Sequence, residues 1–341
     1  MKENGWLKTN TYHHSSFSDI GRLVRLKEKK NLKISLGFPT LNEEETIAEE
    51  INVIKGKLQI EYPLLDEIAV IDSASTDRTR ELAAETGAKV YLADDYLRGF
   101  GVVRGKGENL WKSLYLLEGD IIVWVDADIK NIHPKFVYGI IGPLLECDHL
   151  KYVKAFYERP LVIGKKMRPS GGGRVTEILI RPLLASFYPE LSGFLQPLSG
   201  EYAGRREVLE AVPFRVGYGV ETGLLIDIYE KYGLKSLAQV DLDRRVHRNR
   251  SLPALSKMSF AILHTFFTKL QQQDIVSLEK ELPSEFRLVK AREEEIFLKK
   301  ERFTFIERPP IIKVEKYQRK RANIEKNNFS AARPDRLEPR K

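Results

Sequence analysis

The sequence predicts an α/β fold, a mainly parallel sheet with covering helices. Two observations carry that expectation. Short apolar runs recur at 32–39 (LKISLGFP), 67–72 (EIAVID), 89–93 (KVYLA) and 120–125 (DIIVWV). Helical patterns lie between them, and parallel strands need such crossovers. At 341 residues, with 42% hydrophobic and 30% charged side chains, the chain can build one large domain or a core domain with additions.

The elements follow in order. After the first run come Pro39 and a turn, then a helical pattern from near Glu43 with Glu in its first turn. The second run ends in SASTD, where Ser75 or Asp77 can cap the helix DRTRELAAETG, and Gly87 is placed to end it. Residues 104–118 have a helical pattern, and the run at 120–125 is apolar enough to be buried on both faces. Residues 150–157 (LKYVKAFY) and 236–242 (SLAQVDL) are strand-like, and helices are expected at 175–188, 220–232 and 253–271. Residues 160–174 hold Pro, Lys, Ser and a Gly triplet, the composition of a mobile loop. Beyond about residue 275 the expectation is charged helix, then tail. The chain thus divides into an N-terminal extension (1–30), an α/β part (31–150), a second part of the same domain (151–272) and a helical, charged C-terminal extension (273–341).

Cys147 is the only cysteine, so no disulfide forms within the chain and a thiolate metal site is disfavoured. A reducing, cytoplasmic setting is expected. No apolar stretch is long enough to span a bilayer, and residues 1–30 lack the apolar region of a signal peptide. The net charge of +8 fits small anions or nucleic acid. Much of the excess lies in the tail from Lys313, which reads as a solvated or subunit-packing extension, and no nucleic-acid module accompanies it.

In parallel sheets ligands bind beyond the carboxyl ends of the strands. Pro39–Glu43, Asp72–Thr76 and Asp126–Asp128 occupy those places. Asp126-Ala127-Asp128 offers hard oxygen ligands for Mg²⁺ or Mn²⁺, an ion that would neutralise a leaving diphosphate; the plainer alternative is a pair of solvated turn aspartates. His247, in DLDRRVHRNR, is the second metal candidate, and its Arg neighbours and Asn249 suit an anion; the alternative is a basic surface turn. Ser170–Thr176 (SGGGRVT) precedes a helical pattern, so its amides can approach a phosphate; its spacing is neither Walker nor Rossmann, and a flexible linker is the alternative. Lys106 between Gly105 and Gly107 suits a diphosphate or uracil contact, or a surface turn. Tyr218 and Glu221, in GYGVE, put a ring and a carboxylate at a helix start, where a sugar can stack or the carboxylate can simply favour the helix dipole.

PTLNEEE, IDSASTDRT, GKGENLW, VDADI, SGGGRVT, GYGVE and RVHRN occur in one order. Together they resemble the glucosyl-3-phosphoglycerate synthases, retaining GT-A-type glycosyltransferases whose family also holds mannosyl-3-phosphoglycerate synthases. The resemblance runs from about Lys33 to Arg250 and more faintly to about 300. It implies that Pro39, Thr40, Leu41, Asn42 and Glu43 line a nucleobase and ribose pocket, with Ser73 and Lys106 also on the nucleotide. Asp126 and Ala127 would hold ribose or diphosphate; Ala127, where a Ser is also familiar, can act through its backbone. Asp128 and His247 would bind Mg²⁺ or Mn²⁺. Tyr218, Gly219, Val220 and Glu221 would hold the donor sugar, and Gly173, Arg174, Val175, Thr176 and Asn249 the acceptor. Glu221, Asp126 and Lys106 would be the catalytic groups.

The implied reaction moves glucose from UDP- or GDP-glucose to the 2-hydroxyl of 3-phosphoglycerate with retention, in a homodimer; GDP-mannose is the alternative donor. A sugar nucleotidyltransferase would carry a Gly-rich activating loop after the first strand, which PTLNEEE is not. A nucleic-acid-binding scaffold would leave the Asp-Ala-Asp and His247 unused, and a lipid-phosphate acceptor is disfavoured by the missing membrane segment.

Overall fold

A computed structural model describes residues 2–159, 161–163, 166–168, 173–246, 251–292 and 295–331. Its strands are β1 (Thr11–His13), β2 (Ile34–Thr40), β3 (Glu67–Asp72), β4 (Lys89–Leu92), β5 (Ile121–Trp124), β6 (Tyr152–Glu158), β7 (Leu161–Ile163), β8 (Lys166–Arg168), β9 (Tyr202–Arg205), β10 (Phe214–Arg215), β11 (Leu237–Arg244), β12 (Glu285–Arg292), β13 (Glu295–Arg302) and β14 (Glu307–Arg308). The helices are α1 (Lys2–Thr9), α2 (Ile20–Lys29), α3 (Ile47–Lys55), α4 (Thr79–Glu85), α5 (Lys106–Leu116), α6 (Lys135–Glu146), α7 (Arg181–Phe187), α8 (Arg206–Leu209), α9 (Val220–Tyr232), α10 (Leu252–Gln272) and α11 (Glu315–Ala331).

Eight strands form the central sheet in the order β1-β11-β6-β9-β5-β2-β3-β4. All pairs are parallel except those of β9, which runs antiparallel to both β5 and β6. Alternate side chains feed the two apolar layers. On β5, Ile121 and Val123 pack on the side of Phe136 and Ile140 of α6, whereas Ile122 and Trp124 pack on the side of Trp111 and Phe214. Burial on both faces is why this strand reads as a continuous apolar run. The first 30 residues, which carry no motif, close one edge. There β1 lies along β11, and the buried Trp6 donates from Nε1 to the Leu237 carbonyl at 3.0 Å.

Three segments differ from the sequence expectation. The helix after β2, α3, begins at Ile47 rather than near Glu43, because the Glu43 and Glu44 amides are taken by Thr79 Oγ1 and Asp77 Oδ2 of the neighbouring loop. Residues 160–174 include a hairpin, β7 paired with β8; its Lys, Pro and Gly content masked two short strand-forming triplets. From 285 to 302 the chain forms the β12–β13 hairpin, and the expected charged helix comes only at α11. Abundant Lys and Glu imitate a helix, but Phe286 packs its ring 5.0 Å from Phe260 of α10, and an antiparallel partner follows at once.

The C-terminal segment is not simply solvated. Ile311, Val314 and Tyr317 are buried, and Tyr317 hydrogen-bonds Glu210. Arg308 forms a two-pronged ion pair with buried Glu108 of α5, at 2.6 and 3.0 Å, while Lys112 approaches the same carboxylate at 3.1 Å. Among the described residues no helix is long and apolar enough to cross a membrane.

Candidate active site

The parallel strands β2, β3, β5, β6 and β11 finish at one edge of the sheet, and antiparallel β9 begins there. A cleft of about 780 Å³ opens at that edge. It gathers Pro39, Thr40, Leu41, Glu43, Ser73, Lys106, Asp126, Ala127, Asp128, Gly173, Arg174, Val175, Thr176, Tyr218 and Glu221, all named from sequence. Asn42, which is exposed, and Gly219 and Val220, which are buried, are not among the lining residues. Val220 is buried in the apolar core, and a Cβ on Gly219 would overlap Thr265 of α10. His247 and Asn249 lie outside the described residues.

One wall is a lacework of hydrogen bonds between the loops after β2 and β3. Asp72 accepts from Thr40 Oγ1 at 2.9 Å and from the Ser75 amide at 2.8 Å. Ser75 Oγ accepts the Asn42 amide at 2.9 Å, and Asn42 Oδ1 accepts the Thr76 amide at 2.8 Å. Asn42 and Ala74 both sit at positive φ, 58° and 60°. Ser73 donates to Asn109 Oδ1 at 2.8 Å, tying this wall to α5. Of the two capping candidates, Asp77 takes the Thr79 amide at 3.0 Å, whereas Ser75 serves the lacework.

The floor is built from charge. Lys106 Nζ lies 2.5 Å from Asp126 Oδ1 and 2.7 Å from Glu221 Oε1. Burial alone would lower the lysine's pKa, but Asp126 and Glu221 outweigh it and hold the ammonium above its ordinary range. Burial likewise disfavours the Asp126 carboxylate, yet Lys106 and Arg245 hold it well below the usual range. The Arg245 guanidinium lies 2.6 Å from Asp128, 3.2 Å from Asp126 and 3.0 Å from Glu201. Tyr157 donates to Glu201 at 2.5 Å and accepts from Arg159 at 2.8 Å. Beneath them Lys154 is fully buried, 4.3 Å from the Tyr202 ring centroid, and donates to the Ser199 carbonyl at 3.0 Å. Burial pulls its pKa down to about 7.

The Asp126–Asp128 turn is held from below by α3 and its N-cap. Thr46 donates to the Ala127 carbonyl at 2.5 Å, and Glu50 accepts the Ile129 amide at 2.8 Å. Gly200 presses against Asp126 so closely that a Cβ would overlap its carboxylate. The donor set fits a hard divalent cation: two carboxylates reach the cleft, Asp128 with 29% of its side chain exposed. The carboxylates of the floor (Asp126, Asp128, Glu201, Glu221) are interleaved with Lys106, Arg159 and Arg245, so an entering cation meets carboxylates already aimed by ion pairs and hydrogen bonds.

Several residues of the floor escape sequence reasoning. Arg245 sits inside the motif that singled out His247. Lys154 interrupts an apolar strand between Val153 and Ala155, a placement that in hindsight flags a buried cation. Glu201, Arg159, Thr46 and Glu50 carry no comparable local signal.

The family model described as glycosyl transferase family 2 matches residues 35–170. A glucosyl-3-phosphoglycerate synthase of Petrotoga mobilis is 53% identical over 96% of this chain and 100% of its own length. Among solved structures, the mannosyl-3-phosphoglycerate synthase from Rubrobacter xylanophilus aligns at TM-score 0.84 and 37% identity, covering 92% of this chain and 98% of that one. The glucosyl-3-phosphoglycerate synthase from Mycobacterium tuberculosis, in complex with Mn²⁺, UDP-glucose and phosphoglyceric acid, aligns at TM-score 0.76 and 39% identity, covering 89% and 97%.

Proposed function

The chain belongs to the glucosyl-3-phosphoglycerate synthase family, and from that premise we propose that it moves glucose from a nucleoside diphosphate donor to the 2-hydroxyl of 3-phosphoglycerate with retention. It is a metal-dependent glycosyltransferase of GT-A type. One observation carries the finer reading: the Lys106 clasp on Asp126 and Glu221 shares one cleft with the lacework wall and with Gly173–Thr176, so donor and acceptor would meet there.

The β2 and β3 loops hold nucleobase and ribose. Asp128, with His247, would hold the divalent ion, Mg²⁺ or Mn²⁺. When bound, that ion supplies positive charge to the departing diphosphate. Lys106 adds a second positive charge at the bond that breaks, and Arg245 keeps the Asp126–Asp128 carboxylates aimed. Glu221, already paired with Lys106, positions the sugar rather than attacking it. The acceptor hydroxyl then approaches from the leaving-group side and passes its proton to the departing phosphate oxygen. Gly173, Arg174, Thr176 and Asn249 hold the acceptor's anionic ends.

A mannosyl donor is the second reading, favoured by the likeness to the Rubrobacter xylanophilus enzyme. A homodimer is also part of this proposal, supported by Val289, Ile296 and Leu298, which share one exposed face of the β12–β13 hairpin. Sedimentation velocity checks it. The deciding experiment pairs UDP-glucose, GDP-glucose and GDP-mannose with 3-phosphoglycerate and with unphosphorylated glycerate, with Mg²⁺ or Mn²⁺, and weighs the products. A hexosyl-phosphoglycerate from a glucose donor is expected. Mannosyl product alone establishes the second reading, and no hexosyl transfer to 3-phosphoglycerate overturns both.

A further inference from the structure

A second set of metal-ligand side chains stands outside the cleft, at the β1 edge of the sheet. β1 and β11 run parallel with His13 opposite Asp241, so both strands leave the sheet at the same end. His13 Nε2 lies 2.9 Å from Asp243 Oδ1, and His14 Nε2 lies 2.6 Å from Asp243 Oδ2. One ligand atom from each of the three residues falls within 4.8 Å of the others. The far ring nitrogens are held as well: His13 Nδ1 is 2.7 Å from Ser15 Oγ, and His14 Nδ1 is 3.2 Å from Tyr138 Oη.

We propose that His13, His14 and Asp243 bind a divalent transition metal of the zinc type, at a structural site distinct from the catalytic one. Two imidazoles and one carboxylate form a nitrogen-rich set that suits zinc and its neighbours, whereas magnesium prefers all-oxygen shells. Hydroxyls on the outer nitrogens are the partners that orient metal-bound histidines. A hydroxyl can accept as well as donate, so both rings can carry their proton on Nδ1 and turn a bare Nε2 lone pair inward. For His13 that exchange loses one long bond, 3.3 Å from the Ser15 amide.

The carboxylate is shared with a lysine. Lys135 Nζ lies 2.6 Å from Asp243 Oδ2, and His133 faces the same group. Lys135 first, against the opposing effect of burial, and then His13 and His14 hold the Asp243 carboxylate well below its usual range. Two rings from consecutive residues and a carboxylate from the neighbouring strand thus bring their ligand atoms to one point. Lys135 and His14 both face Asp243 Oδ2; Lys135 can keep that oxygen while the metal takes Oδ1, the one facing His13.

The site's place gives it a consequence. Asp243 precedes by two residues Arg245, which bridges Asp126 and Asp128. A metal here would pin the end of β11 to β1 and steady the approach to the floor of the cleft.

The test is zinc binding to the full chain in excess Mg²⁺, measured by equilibrium dialysis with metal analysis, with Co²⁺ absorption as the geometric readout. Wild type and Asp128→Ala should each retain one zinc under these conditions. The His13→Ala/His14→Ala double variant should bind it at least about tenfold more weakly and lose the tetrahedral Co²⁺ bands. If the double variant does not fold, His13→Gln, at a ring 46% exposed, serves for the same comparison. Three outcomes overturn the proposal: no zinc on wild type, equal affinity in wild type and the histidine variant, or loss of the zinc only in Asp128→Ala.

Discussion

The two sides of the cleft are built by opposite means. The wall from the β2 and β3 loops is a web of short hydrogen bonds among Thr40, Asn42, Asp72, Ser75 and Thr76, each donor matched to a fixed acceptor. The floor relies on Lys106, Arg159 and Arg245 set among four carboxylates. The hydrogen-bonded wall is complete before any ligand arrives, so it suits the part of a donor that does not change during reaction. The charged floor responds to every ion that enters, so it suits the part where charge moves. Damage to the floor should therefore appear in turnover, and damage to the wall in stability or binding.

The sharpest way to break that contrast is Asp128→Ala. Loss of the cation's carboxylate should lower kcat by about 10³-fold, and a chelator should abolish turnover of the wild type. Activity that survives chelation would sink the metal assignment. Next comes Gly200→Ala, which adds no charge and removes none. Its methyl must displace the Asp126 carboxylate, and a misplacement on the order of 1 Å should cost about 10²-fold in kcat while circular dichroism stays native. An unchanged kcat would mean that the floor tolerates movement.

Arg174→Ala tests the far wall. Acceptor KM should rise at least about tenfold with donor affinity nearly constant, the loss of a charge-assisted contact, and Arg174→Lys should recover only part of it. A shift in donor KM instead would move this loop to the nucleotide side. Lys154 gives a smaller effect, read in stability against pH. Its native pKa of about 7 lies below the unfolded lysine value, so between the two the unfolded chain holds a proton that the native chain has released. Wild-type stability relative to Lys154→Met should therefore rise by about 1 kcal/mol from pH 7 to pH 8, measured by urea melts. A flat difference would mean the buried ammonium is not strained. Asn42→Ala closes the series: about 1 kcal/mol of stability lost, from a cut lacework bond and a strained positive φ, with kcat almost unchanged.

The same contrast explains what could be read from the sequence. Strand ends followed by PTLNEEE, SASTD and DAD announce the edge of a parallel sheet, and topology brings those loops together without detailed knowledge of side chains. The floor depends on β9, whose antiparallel course brings Gly200 and Glu201 to Asp126 from 74 and 75 residues later in the chain. No local pattern encodes that crossing. Arg245 stands two residues before the metal candidate His247, but its partners lie at the ends of β5, β6 and β9, which only the fold joins. The β12–β13 hairpin was hidden differently, since Lys and Glu satisfy helix propensity while pairing and Phe260 decide for strand.

Glu108 and Arg308 are separated by 200 residues along the chain, yet they close on one another beside Trp111. The helix that begins with Lys106 is therefore finished by a segment synthesised 200 residues after it. Until Arg308 arrives, a nascent chain with the whole sheet already made still holds a buried carboxylate without its guanidinium and an indole without its Pro309 partner. The segment around residue 308 thus completes the packing of α5, the helix that carries Lys106 at its head.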